Sequence, residues 1–434
     1  MKTKSVKKVN VITLGCSKNL VDSESLLRQL EVNGFKVMHD SNSPSEIVII
    51  NTCGFINDAK QESIETILSF EELRNNNVIE KLFVFGCLSE RYKEELEREI
   101  PVVDKYFGTY DLKELVESIG GHYKTELVGE RLITTPKHYA YLKISEGCDR
   151  TCSFCAIPLI KGKHKSRPIE DLIKEAEFLV NKGVKEIILI AQDLSYYGLD
   201  IYKENKLAEL IDKISDIKGL QWLRLHYTFP AKFPMEIIEV MKSKDNICNY
   251  LDIPIQHVSN KLLKDMRRGI TKEQTYDLIN YFRKEIPEMV LRTTLLVGHP
   301  GETDEDFNEL IDFIKFVKFE RLGVFTYSEE ENTYSAINFT DDIPSSVKQA
   351  RMEELMEVQR DISMSLNTNK IGRSYKVLID RQEGEYFIGR TEFDSPDVDN
   401  EVIVKPMNKK LKIGNFYQVK IKSAEDFDLI GELE

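Results

Sequence analysis

The chain has 434 residues, 41% of them hydrophobic and 31% charged, with a formal net charge of −13. This composition excludes wholesale disorder and allows two or three domains; the acidic total argues against a mainly electrostatic nucleic-acid binder, although a basic face within it leaves direct RNA binding open. Seven cysteines is an odd number, and six of them fall in two triads, a pattern of metal ligation in a reducing compartment rather than a disulfide framework.

The start, Met1 to Asn10, is basic, and the apolar run that follows, Val11 to Leu14, is broken by Thr13. It is too short for a signal sequence or a membrane span, so a cytoplasmic protein without a membrane partner is expected. Three β-rich runs then recur, each followed by a helical pattern. Val9 to Leu14 ends at Gly15-Cys16, Ile47 to Ile50 at Asn51-Thr52-Cys53, and Leu82 to Phe85 at Gly86-Cys87. Continuous apolar runs suit strands buried on both faces of a parallel sheet. Helices are expected from near Asp22 to Gly34, over Ala59 to Leu73, and after Ser89. In such a sheet the carboxyl ends of the strands share an edge where ligands bind, so Cys16, Cys53 and Cys87 converge. Each alone reads as a buried core thiol; three in three strands predict a metal cluster with one open iron. Lys18, Asn19 and Asp22 fit helix-entry capping.

A linker near Gly120, Gly121 and Thr134 to Lys137 ends this part. Tyr139 to Ser145 reads as a strand delivering Gly147-Cys148-Asp149-Arg150-Thr151-Cys152-Ser153-Phe154-Cys155. Soft thiolates at C-x3-C-x2-C spacing select an Fe–S cluster. A structural zinc would want a fourth ligand, and the nearest candidate, His164, lies across a Lys-rich loop. That loop, Lys161 to Arg167, suits either an acidic ligand or solvent. Further strands are expected near Glu186 to Ala191, Trp222 to His226, Tyr250 to Ile255, Met289 to Val297 and Arg321 to Thr326, with helices such as Ile169 to Asn181 and Thr271 to Lys284. Six such units predict an α/β barrel or partial barrel with its chemistry at the carboxyl ends of the strands. Gln192 and Asp193 close one strand, and Gly298 to Thr303 follows another. Thr303 fits an N-cap. Arg292, inside a strand, requires a carboxylate partner. His226, His257 and His299 read as hydrogen-bonded structural histidines, and Cys248 as core.

Pro344 to about Thr368 is a charged amphipathic helix. Short runs at Ser374 to Asp380, Tyr386 to Arg390, Val402 to Lys405 and Phe416 to Ile421, separated by turn residues, suggest a small all-β barrel. From Asn367 onward there are 11 Lys+Arg and 13 Asp+Glu, a net of −2. That balance suits a basic protein partner better than RNA, and the run Gly389 to Asp399 is the expected contact.

The Cys148 motif resembles that of the radical S-adenosylmethionine (SAM) superfamily. Leu14 to Asn19 with Val21 to Glu24, and Asn51 to Ile56 with Ala59-Lys60, resemble the methylthiotransferases in the branch that modifies ribosomal protein uS12, and Leu225 to Tyr227 and Tyr250 to His257 again resemble methylthiotransferases. The Gly-Cys-Gln-Met-Asn motif typical of the tRNA-modifying branch is absent from the sequence. The resemblance implies an α/β protein of three parts: an N-terminal parallel-sheet cluster domain (1–122), a central (β/α)6 radical SAM partial barrel (134–365) and a C-terminal OB-like TRAM barrel (367–434). It implies two [4Fe-4S] clusters, one on Cys148, Cys152 and Cys155 that binds SAM, the other on Cys16, Cys53 and Cys87, facing one cavity. Gln192, Asp193, Gly298 and Arg292 become candidate SAM contacts, although Gln192-Asp193 departs from the superfamily's Gly-Gly-Glu. The implied activity is methylthiolation of the β-carbon of a uS12 aspartate, with SAM as radical source and methyl donor, uS12 contacted by the TRAM domain, and a flavodoxin or ferredoxin as electron donor. The alternatives are an adenosine methylthiotransferase acting on tRNA and a non-catalytic, metal-stabilised ribosome-binding factor.

Overall fold

A computed structural model describes residues 6–406 and 410–434; the first five residues of the basic start lie outside the described residues. The chain divides into two compact units, one of residues 1–135, 141–149 and 156–178, the other of 136–140, 150–155 and 179–434.

In the first unit a five-stranded sheet runs in the order Lys36–His39, Lys8–Thr13, Ile47–Thr52, Lys81–Gly86, Lys105–Tyr106, with every pairing parallel. The middle strands are buried on both faces. Ile47 and Ile49 pack with Val9, Leu26, Leu30 and Phe83, while Val48 and Ile50 pack with Ile67, Leu82 and Val84. This is why their sequences are uniformly apolar rather than alternating. The three expected strands are present, and so are the helices, at Ser17–Val32, Asn57–Asn75 and Cys87–Glu99. The first starts earlier than its hydrophobic pattern indicates, with Cys16 at the N-cap. Asp22 therefore lies inside the helix and is not a cap.

A second sheet has six strands in chain order: Tyr139–Lys143, Glu186–Ile190, Trp222–Leu225, Ile247–Asp252, Val290–Val297 and Arg321–Thr326. The last five pair in parallel. Lys272–Glu285 and Asp304–Val317 both begin with a capping box, on Thr271 and on Thr303, as side chains that satisfy orphan N–H groups should. In the second unit the helix Ser345–Thr368 leads to a closed five-stranded barrel, ordered Ser374–Glu383, Tyr386–Arg390, Val402–Lys405, Leu429–Leu433, Phe416–Ala424.

The run Gly389 to Asp399, expected to meet a partner, is instead an internal joint. Arg390, Asp394 and Ser395 are buried; Arg390 and Asp394 engage side chains near the amino ends of the parallel strands, and Ser395 meets His226 just past the carboxyl end of one. Arg390 pairs with Glu186 (2.8 Å), which also holds Arg224 (2.8 Å). Arg321 pairs with Asp394, and Tyr250 donates to Asp399 at 2.7 Å. The only tryptophan, Trp222, meets Phe416 of the barrel edge-on at 4.7 Å. A buried charge is tolerated only when paired, and here the small barrel supplies the partners for the sheet.

Candidate cluster and cofactor sites

In the first unit three strand ends bring Cys16, Cys53 and Cys87 together. Asn19 ties them: its Nδ2 donates to the carbonyls of Leu14 (2.9 Å) and Thr52 (3.1 Å), and its Oδ1 accepts from Cys87 Sγ at 3.8 Å. Ser63 Oγ accepts from the Cys53 N–H and donates to the Cys53 carbonyl, both at 3.0 Å. Glycines make room. A Cβ on Gly15 (φ +88°) would lie 2.7 Å from Cys53 Cβ, and one on Gly86 (φ +106°) would lie 2.5 Å from Asn51 Oδ1. Burial pushes the Cys87 thiol up to about 12, with Cys16 and Cys53 adding to the rise and the Lys161 ammonium opposing it. Burial also raises Cys53.

This donor set fits an Fe–S cluster. It is all sulfur, it is cradled by glycines, and its thiols lie within electrostatic reach of one another. Among the described residues no three His, Cys, Asp or Glu side chains are grouped tightly enough to hold a single metal ion. Three thiolates can each serve a different iron of a cubane, which a single zinc ion does not require.

Beside the triad lies a buried ionic group that the spacing of the sequence does not signal. Lys143 donates to both Asp22 and Glu146. Lys161, 3% exposed, lies 3.9 Å from Asp22 and 3.7 Å from Glu146. Burial pulls the Lys161 pKa down, but Glu146 and Asp22, with Cys87 and Cys16, hold it above its ordinary value. The basic loop Lys161 to Arg167 is only partly a solvated charge run: Lys163 and Lys165 are exposed, whereas Lys161 is buried and Arg167 pairs with Glu175 at 2.6 Å, and Lys165 lies over the Tyr110 ring. His164, the zinc candidate, is hydrogen-bonded to Ser166 at 3.0 Å.

The C-x3-C-x2-C stretch begins in the first unit and continues in the second. On the first, Gly147 has φ +70° and a Cβ there would lie 2.1 Å from the Lys163 carbonyl, so the turn before Cys148 requires glycine. The Cys148 N–H donates to Gly162 O at 3.1 Å. On the second, Cys155 N–H donates to Cys152 O (3.2 Å), and Ser153 is held through its N–H by Met266 O and through its carbonyl by Ser335 N–H. Arg268 Nη1 donates to Cys152 Sγ at 3.1 Å and its guanidinium lies 4.1 Å over Phe229. A cationic donor is a fitting partner for the sulfur of an Fe–S cluster ligand.

The four candidate SAM contacts fare differently. Gln192 Oε1 is buried with no hydrogen-bond partner among the described residues. An orphaned acceptor at a strand's carboxyl end fits a ligand N–H donor such as the SAM ammonium. Asp193 is already engaged, accepting from Arg150 Nε at 2.7 Å and from Ser195 N–H at 2.8 Å. Gly298 does not offer open space on its Cβ side, where the stem of Lys348 lies 2.3 Å from an added Cβ. Arg292 has the carboxylate partners its burial demands, Asp252 at 3.1 Å and Asp399 at 3.3 Å, and so serves the joint to the small barrel. The histidines are structural: His226 with Ser395 (2.8 Å), His257 accepting from Ser259 N–H (3.0 Å), and His299 with Ser335 (3.0 Å). Cys248 is core, 1% exposed.

Family models match three stretches of the chain: uncharacterized protein family UPF0004 over residues 8–108, the radical SAM superfamily over 142–314 and the TRAM domain over 371–433. The chain is 58% identical over 428 residues to the ribosomal protein uS12 methylthiotransferase RimO of Bacteroides fragilis, covering 98% of this chain and 99% of that protein. It is 58% identical over 434 residues to the protein of the same name from Christiangramia forsetii, covering 100% of this chain and 96% of that one. Among solved structures, the radical S-adenosylmethionine methyltransferase TsrM of Kitasatospora setae superposes with a TM-score of 0.56 at 16% identity, covering 76% of this chain and 77% of that chain, a likeness of fold alone. Among the described residues no helix is long and apolar enough to cross a membrane. With its UPF0004, radical SAM and TRAM segments in that order, the chain belongs to the ribosomal protein uS12 methylthiotransferase RimO family of radical SAM enzymes.

Proposed function

We propose that the chain methylthiolates ribosomal protein uS12, at the β-carbon of an aspartate, giving 3-methylthioaspartate. The observation that carries this reading is the convergence of Cys16, Cys53 and Cys87 on one sheet edge, in a chain that also bears the separate Cys148, Cys152 and Cys155 motif. Bound to these triads, two [4Fe-4S] clusters with SAM supply hydrogen abstraction from an unactivated C–H bond and a sulfur donor carrying a methyl group. Cys148, Cys152 and Cys155 hold the first; Cys16, Cys53 and Cys87 hold the second.

The protein's part is to hold and orient. Asn19 and Ser63 fix the Cys16 and Cys53 loops. Arg268 donates to Cys152, and Gln192 Oε1, buried without a hydrogen-bond partner among the described residues, would accept from the ammonium of bound SAM. A flavodoxin or ferredoxin supplies the electron. The TRAM barrel contacts uS12 through acidic residues that remain exposed, such as Glu385 and Asp397, since most of the Gly389 to Asp399 run is taken up inside the molecule.

The test is mass spectrometry of an anaerobic reaction containing reconstituted protein, SAM, a reductant and sulfide, offered uS12 and, separately, unmodified tRNA. A methylthio increment on the uS12 aspartate is expected. An increment on tRNA alone would overturn the assigned substrate, and no increment on either would overturn the activity.

A further inference from the structure

The Lys161 side chain is 3% exposed, and among the described residues its ammonium makes no hydrogen bond. Its two carboxylate neighbours stand at 3.9 Å and 3.7 Å, beyond hydrogen-bonding distance, because the close contacts of Asp22 and Glu146 are spent on Lys143. Glu146 Oε2, the oxygen nearest Lys161, is itself buried without a hydrogen-bond partner. An ammonium has three donors to offer, and none of the three is taken by a hydrogen-bond partner among the described residues. The helix Ile157–Lys161 sets this ammonium beside the cysteine triad: Ile160 packs on Cys87, and the Lys161 charge is felt by both Cys87 and Cys16. The Tyr110 hydroxyl, donating to the Lys161 carbonyl at 2.6 Å, fixes the backbone there.

We propose that Lys161 is a positioning residue of the sulfur site on Cys16, Cys53 and Cys87: restrained by Asp22 and Glu146, its ammonium hydrogen-bonds and electrostatically stabilises a small sulfur anion of the hydrosulfide class bound beside Cys16 and Cys87. This rests on the reading that the triad holds a cluster with an open iron. Asp22 and Glu146 keep Lys161 charged and aimed, while Lys143 neutralises their excess charge; Lys18, whose charge acts on Cys53, is a second cation at the triad. An ammonium close to a thiolate-ligated cluster also favours its reduced form, since the added electron is attracted to the cation.

The experiment uses full-length protein with Cys148, Cys152 and Cys155 replaced by Ala, so that only the triad cluster is present. This parent is compared with the same protein carrying Lys161→Met or Lys161→Arg. Iron is quantified, the reduction potential is followed by EPR, and binding of radiolabelled hydrosulfide is measured. For Lys161→Met the expected result is hydrosulfide binding weakened tenfold or more and a potential lower by about 59 mV or more, the one-electron equivalent of a tenfold change, with Lys161→Arg close to the parent. Loss of iron in Lys161→Met that Lys161→Arg restores also supports the charge role. Full iron with unchanged potential and hydrosulfide binding in Lys161→Met would overturn the proposal alone, as would equal loss of iron in both variants, which marks a packing role. Absence of iron from the parent would overturn the cluster reading and the proposal with it.

Discussion

Arg390→Met should loosen the small barrel from the parallel sheet. Arg390 is 2% exposed and its guanidinium is shared between Glu186 (2.8 Å) and Asp380 (2.7 Å). Methionine keeps most of the volume but removes the charge, leaving Glu186 to Arg224 alone and Asp380 to His138. Removing one partner from a buried pair costs about 3–5 kcal/mol, because the other charge stays buried. For a body of this size each kcal/mol lowers Tm by about 2–4 °C, so a fall of roughly 6–20 °C is expected. Trp222 is the chain's one tryptophan and sits at the joint against Phe416, so thermal unfolding followed by its fluorescence reports on this contact. The control is Arg381→Met, whose ion pair with Glu401 is surface-exposed and worth at most about 1 kcal/mol. A Tm for Arg390→Met as close to the wild type as that of the control would refute the reasoning.

The other predictions concern the two sites and one buried carboxyl. Gly86→Ala places a Cβ 2.5 Å from Asn51 Oδ1 and 2.6 Å from the Thr52 carbonyl at φ +106°; iron analysis should show loss of the Cys16/Cys53/Cys87 share with the Cys148 share retained, and full iron would contradict the cradle. Gln192→Ala removes one acceptor for a charged donor, about 1.5–3 kcal/mol; equilibrium dialysis of reconstituted protein should find SAM bound roughly ten- to a hundredfold more weakly, and unchanged affinity would remove Gln192 from the site. Burial raises the Glu302 carboxyl from 4.5 to about 7, against the opposing pull of Arg351. A raised carboxyl contributes stability that is full below about 4.5 and lost as pH rises through about 7. Denaturation midpoints compared at about pH 5 and pH 7.5 should therefore differ less in Glu302→Gln than in the wild type.

Much of the fold was legible because burial on both sheet faces writes itself into uniform apolar runs such as Ile47 to Ile50, and because capping boxes at Thr271 and Thr303 mark helix starts. The short edge strands Lys36–His39 and Lys105–Tyr106 were not, since few residues carry their pattern. The cysteine positions were legible from their place at strand ends. What surrounds them was not: Lys161 meets Asp22 across long stretches of chain, and Arg268 reaches Cys152 from another loop. Asp22 lies where a cap would, but the helix begins at Ser17 and its carboxylate is used by Lys143. The Gly389 to Asp399 run reads as an exposed loop because it is polar, yet its charges match Glu186, Arg292 and Arg321 at the amino ends of distant strands. Polarity alone does not distinguish a solvated loop from one buried against complementary charge.

The central claim is that one triad serves radical generation and the other serves sulfur transfer. Cys53→Ala, reconstituted anaerobically and given SAM, a reductant, sulfide and uS12, tests it most directly. SAM cleavage should persist, because Cys148, Cys152 and Cys155 are untouched, while mass spectrometry finds no methylthio increment on uS12. Full methylthiolation by Cys53→Ala would contradict the account.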